Sequence, residues 1–124
     1  MPVSKFQHTV TPADTAASVG SGDLEVLSTP RLMTWCEQAS YQVCRVVIEP
    51  DRTTVGTLVT FEHVRGSAVG AELTIECAKP INDGRRLVCA VTVKDHDGDE
   101  VGRGEFARSV VDPDRFMAKC QPQG

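Results

Sequence analysis

The chain has 124 residues, of which 40% are hydrophobic and 24% charged, with a formal net charge of -4. These values fit one globular domain over 1–124 with a genuine core, and exclude a disordered tail. An acidic chain argues against a phosphate-binding surface and so against nucleic acid. No apolar run is long enough to cross a bilayer, and the N-terminal MPVSKFQHTV lacks the apolar core of a signal peptide, which gives a cytoplasmic expectation with no membrane partner.

Residues 4–11 read as a short strand, and residues 12–28, rich in Ala, Ser, Gly and Asp, as a loop with a helical turn at ADTAASV. A helix then opens at Thr29 as cap, with Pro30 in the first helical position. Leu32, Cys36, Ala39, Val43 and Val46 recur at helical spacing and predict an apolar stripe that ends near Ile48, ahead of Pro50. Beyond residue 52 the period changes to two. Val55, Thr57, Val59, Phe61 and His63 are expected on one face of a strand over 55–64. A strand over 71–78 turns Ala71, Leu73, Ile75 and Cys77 inward; strands over 87–95 and 100–112 follow, the last bent or bulged near Gly102 and Gly104. INDGRR and HDGDE are the turns between them, and the tail PDRFMAKCQPQG adds a turn of helix. One helix packed on an antiparallel meander is an α+β layer solution, and pairing two copies would cover the sheet edges.

The five cysteines are odd in number, widely spaced and without a CxxC pair, which argues against a disulfide framework and a structural zinc site. Four sit in apolar periodic segments and read as small buried hydrophobes. The three histidines are dispersed and form no metal site; His8 and His96 read as surface residues.

Several residues admit both a structural and a chemical role. Thr29 could simply cap the helix, yet its hydroxyl stands where free N–H groups and a positive dipole end collect. Glu37 lies on a strip with Met33, Ser40 and Cys44 rather than among lysines and arginines, so it is either a solvated carboxylate or one held in a cleft as a base. His63 is either a hydrogen-bonded core residue or a proton carrier. Arg108 shares its strand face with Phe106 and Val110 and needs an internal anion, for which Glu37 is a candidate. Gly56 either relieves a strand bend or lets an acyl group approach the backbone.

The helix-then-meander order resembles the hot-dog fold. The motifs DTAASVGSGDLEVLSTPRL, Glu37, VGTLVTFEHV, GRGEFARSVVD and RFMAK, in that order and spacing, resemble the thioesterase family that includes the fluoroacetyl-CoA thioesterase. The resemblance covers nearly the whole chain. It implies one long central helix on a curved antiparallel sheet of about five strands, a homodimer that can pair further into a tetramer, and sites built at the subunit interface. It implies a catalytic set of Thr29, Glu37 and His63, with Gly56 near the acyl group and Arg108 at the site. The implied reaction is hydrolysis of a small acyl-CoA or related acyl thioester, with coenzyme A as part of the substrate and no metal or other cofactor.

The chain departs from this pattern at VGSGDLEV, where the fluoroacetyl-specific enzyme carries phenylalanines, so the resemblance does not carry fluoroacetyl specificity. A second departure is Trp35-Cys36 just before Glu37, where Trp35 either reshapes the pocket or simply packs. Two rivals stand beside the enzyme reading: a non-catalytic acyl-CoA or small-ligand binding module on the same fold, and an enoyl-thioester hydratase, which would need an Asp–His dyad.

Overall fold

A computed structural model describes residues 3–122. The elements in chain order are β1 (Val3–Thr9), a 3-10 turn (Pro12–Asp14), α1 (Ala16–Val19), α2 (Thr29–Arg45), β2 (Thr53–His63), β3 (Glu72–Ala78), β4 (Ile81–Asn82), β5 (Leu87–Lys94), β6 (Glu100–Val111) and α3 (Pro113–Cys120). All strand pairings are antiparallel and form one six-stranded sheet in the order β1-β3-β5-β6-β2, with β4 hung on β5. The 17-residue α2 packs on one face, as in the hot-dog fold.

The expected simple meander is corrected: β2 pairs with β6 rather than with its chain neighbour β3, which lies between β1 and β5. A period of two assigns faces but carries no information about which strand lies alongside. The consequence for function is that β2, the strand following the long helix, is a sheet edge.

The core lies between α2 and the sheet. Leu32, Cys36, Ala39 and Val43 are buried as the helical stripe predicts, and Trp35, Ser40 and Cys44 join them. They meet Leu73, Ile75 and Cys77 of β3, Leu87, Cys89, Val91 and Val93 of β5, and Phe106 of β6. Each large apolar side chain so buried contributes about 1.5–3 kcal/mol. Val46 departs from the expected stripe at 81% exposure. The helix stops at Arg45, short of Ile48, because the Val47 N–H turns back to the Cys44 carbonyl at 3.1 Å and tightens the chain before Pro50. Cys36, Cys44, Cys77 and Cys89 are buried and Cys120 is exposed. Burial pushes the Cys36 thiol up to about 12, consistent with a neutral packing group.

Two irregularities shape the β2–β6 pair. Gly56 faces Arg108 and Leu58 faces Ala107, so Thr57 is an extra residue in β2. Val93 faces Gly102 and Lys94 faces Glu100, so Val101 is an extra residue in β6, close to the expected bend. A Cβ on Gly102 would lie 2.6 Å from Cζ of Phe61, and one on Gly104 would collide with the Thr60 carbonyl and with Phe61. The two glycines leave room for the Phe61 ring, which meets Phe106 edge-on with centroids 6.0 Å apart. The tail forms an eight-residue helix, longer than the expected single turn, because Asp112 caps it by accepting from the Arg115 N–H at 3.0 Å.

Candidate functional site

The start of α2 is built one residue earlier than the sequence reading has it. Ser28, not Thr29, is the cap: its side chain accepts from the Arg31 N–H at 3.1 Å. Ser28 is itself fixed, since its N–H donates to the Asp14 carbonyl and Leu27 donates to the Ser67 carbonyl. Asp14 also ion-pairs with Arg31 at 3.1 Å, tying the segment before the helix to its first turn. With capping done by Ser28, the Thr29 hydroxyl is released and lies 2.8 Å from Nδ1 of His63, at the far end of β2. Both side chains line an open cleft of about 310 Å³ whose other walls include Leu27, Val64 and Gly66.

Burial holds the His63 pKa below the ordinary histidine value of 6.5, opposed by the Arg65 backbone carbonyl, which favours the charged ring. Nε2 has no hydrogen-bond partner among the described residues. In the tautomer with its proton on Nε2, Nδ1 accepts the Thr29 hydroxyl hydrogen and is placed to draw a proton from it.

The second cluster sits two helical turns further on. Glu37 Oε2 accepts from Nη1 of Arg108 at 3.2 Å. Arg108 is buried at 7% exposure, and its ion-pair partner Glu37 is a half-exposed carboxylate at the rim rather than an internal one. Its remaining contacts come from β2 and α2: Nε donates to Thr54 Oγ1 at 2.8 Å, Nη2 donates to the Thr54 carbonyl at 3.1 Å, and the guanidinium lies over the Tyr41 ring, 5.6 Å from its centre. Gly56 stands directly beneath Glu37, where any Cβ would collide with Oε2. This is close approach of a carboxylate to backbone, at the residue just before the Thr57 bulge.

Thr29 and His63 therefore meet, as do Glu37, Gly56 and Arg108. Within one chain the two groups stay apart, because eight helical residues span about 12 Å. Trp35 lies elsewhere, buried and stacked on His8 at 4.4 Å, so it packs. His8 is thus half-buried rather than a surface residue, and burial lowers its pKa. Val55 and Thr57 do not share the face of Val59, Phe61 and His63; the Thr57 bulge reverses the alternation, so Thr54 and Gly56 take that face instead. Sequence reasoning missed Ser28, Thr54 and Tyr41. A serine directly before Thr-Pro is a capping signal that could have been read, whereas the other two carry none.

The sequence profile of the fluoroacetyl-CoA-specific thioesterase family matches residues 10–114. The fluoroacetyl-CoA thioesterase FlK is 26% identical, with a TM-score of 0.82 over 98% of each chain. A thioesterase-superfamily protein of Thermus thermophilus is 19% identical, with a TM-score of 0.84 over 94% of this chain and 86% of that one. A hot-dog-like protein of Thermanaerovibrio acidaminovorans is 18% identical, with a TM-score of 0.85 over 96% of this chain and 87% of that one. No curated protein matches the sequence.

Proposed function

The chain belongs to the fluoroacetyl-CoA-specific thioesterase family, and from that premise we propose that it hydrolyses a small acyl-CoA thioester at a site that two copies of the chain complete together. The observation that carries the reading is the division of the candidate groups: Thr29 with His63 at one end of β2, Glu37 with Gly56 and Arg108 at the other. The Thr29–His63 half has no carboxylate, and the Glu37 half has neither the Thr29 hydroxyl nor the helix-start N–H. β2 is an 11-residue edge strand with Leu58 half exposed, and is thus open to pairing with a second copy. An antiparallel β2–β2 pair with its two-fold axis near Val59 and Thr60 would set Gly56 of one chain opposite His63 of the partner subunit. The same axis would pass near Met33, midway between Thr29 and Glu37 on α2. Each two-fold pair then has two complete sites.

In such a site the thioester carbonyl and the oxyanion that grows on it face the Thr29 N–H, the backbone donor that Ser28 and Pro30 leave at the helix start, and the Thr29 hydroxyl. The hydroxyl donates to them when neutral His63 carries its proton on Nδ1 and donates to Thr29 Oγ1. Glu37 takes a proton from a water molecule, whose oxygen attacks the carbonyl carbon. The tetrahedral species collapses, the C–S bond breaks, and the thiolate of coenzyme A leaves and is protonated, giving the free acid and the thiol. Neutral His63 holds the Thr29 hydroxyl in its rotamer. The 2.8 Å Thr29–His63 contact also favours a second route in which Thr29 itself attacks and passes its proton to His63; a burst of thiol at one equivalent per site, before steady state, distinguishes the acyl-enzyme route from direct hydrolysis.

The test is free thiol released from a panel of short acyl-CoAs, fluoroacetyl-CoA included, by the wild type and by Glu37→Ala. Turnover in the wild type and its loss in a folded variant support the reading. Binding of acyl-CoA without thiol release across the panel overturns it in favour of a non-catalytic binding module.

A further inference from the structure

Arg108 is held by more than its carboxylate. A guanidinium with a single ion-pair partner can rotate about its own plane and meet a carboxylate with one N–H or with two. Here the opposite edge is clamped: Nε to the Thr54 hydroxyl at 2.8 Å, and Nη2 to the carbonyl of the same residue at 3.1 Å. Tyr41 covers one face at 5.6 Å. Thr54 is 6% exposed, so its hydroxyl is shielded from solvent and given over to this bond. Held in this orientation, the guanidinium presents Nη1 to Glu37, where it reaches Oε2, the oxygen above Gly56. Oε1 has no partner within this chain among the described residues, and the Glu37 side chain is 49% exposed.

We infer that Thr54 is the positioning residue of this site. By pinning the guanidinium edge-on, it keeps Arg108 to one bond on Glu37, which anchors the carboxylate over Gly56 and leaves Oε1 free for the reacting water. The inference rests on the reading of Glu37 as the base. A plain structural threonine would serve as well as a valine of the same shape once packing is preserved, whereas a positioning threonine would not. In Thr54→Val the Nε–H loses its acceptor in a dry environment, the guanidinium is free to turn, and one of its two forks, Nε with Nη2 or Nη1 with Nη2, can grip both carboxylate oxygens.

Three measurements decide it. Thr54→Val lowers kcat about 10- to 100-fold with KM little changed, as expected when a charge-assisted hydrogen bond that aligns a catalytic group is lost. Thr54→Ser, which keeps the hydroxyl, restores kcat to within a few fold, by about the same principle of a retained acceptor. In a Glu37→Gln background, Thr54→Val has no further effect, because the group it positions is gone. The Arg108 Nε–H proton, followed by NMR, exchanges slowly with solvent in the wild type and Thr54→Ser and rapidly in Thr54→Val.

Equal kcat in Thr54→Val and the wild type, a loss that adds in full to that of Glu37→Gln, or an unprotected Nε–H in the wild type would overturn the inference while leaving the hydrolase reading intact. Absence of turnover in the wild type would instead sink the hydrolase reading. The inference falls with it, whatever the Nε–H exchange shows of the clamp itself.

Discussion

If each site takes its hydroxyl and imidazole from one chain and its carboxylate from another, two inactive variants must complement. The perturbation is a mixture of Glu37→Gln and His63→Gln, unfolded and refolded together in equal amounts. Along α2, Thr29 and Glu37 are about 12 Å apart. Along β2, Gly56 and His63 are separated by about 20 Å, at roughly 3.3 Å per residue less the bulge. No side-chain movement inside one chain closes those gaps. In a two-fold heterodimer of the variants, one site collects both lesions and the other neither. Random assembly makes about half the dimers mixed, so about a quarter of all sites are intact and the mixture recovers about a quarter of wild-type thiol release. Each variant refolded alone supplies the baseline, and size-exclusion chromatography with light scattering checks that both form dimers. A mixture that stays at the average of the two separate variants, with dimers present, would refute the shared site.

Three further outcomes follow from the same geometry. Because burial lowers the His63 pKa below 6.5, the ring is neutral at pH 7 and gains a proton only as pH falls through its lowered value; kcat/KM should hold steady down to pH 6.5 and decline below it, and an acid limb centred above 6.5 contradicts the assignment. Gly56→Ala places a methyl group against Glu37 Oε2 and 3.6 Å from Nη1 of Arg108, so the carboxylate must swing away; kcat should fall about 100-fold by misplacement of the base while thermal unfolding shifts little, and an unchanged kcat counts against Glu37. Gly104→Ala drives a Cβ into the Thr60 carbonyl and the Phe61 backbone, neither of which can yield; denaturant titration should show a loss of about 1–3 kcal/mol, and an unaltered midpoint would mean that the β2–β6 pair is looser than drawn.

The helix was legible because capping chemistry, a proline near its start and a 3.6-residue stripe all point the same way. Its start was misplaced by one residue because Ser28 and Thr29 are both competent caps and only tertiary contacts choose: the Asp14 carbonyl takes the Ser28 N–H, and His63 takes the Thr29 hydroxyl. That one-residue difference decides whether Thr29 is spent on the backbone or left for chemistry. Burial of the four core cysteines and the inward face of β3 followed from periodicity alone. The neighbours of Arg108 did not. Thr54 and Tyr41 lie 54 and 67 positions away along the sequence, and nothing local marks either as a partner of a buried guanidinium.

The bulge at Thr57 links these observations. Gly56 and His63 are seven residues apart, and in an unbroken strand an odd separation puts two residues on opposite faces. A straight β2 would present either the glycine beneath the helix or the histidine beside Thr29, never both. The extra residue between Gly56 and Leu58 changes the parity once, so that Gly56 and Val59 stand opposite Arg108 and Phe106, which share a face of β6. Beyond it, Phe61 and His63 continue on that same inner face. Strict alternation over 55–64 assigns Val55 and Thr57 to the core and turns Gly56 away from Glu37, which is why the sequence pattern alone could not bring the two halves of the site to one side of the sheet. Deleting Thr57 would restore the alternation, turn either Gly56 or His63 outward, and break one half-site while leaving the other standing.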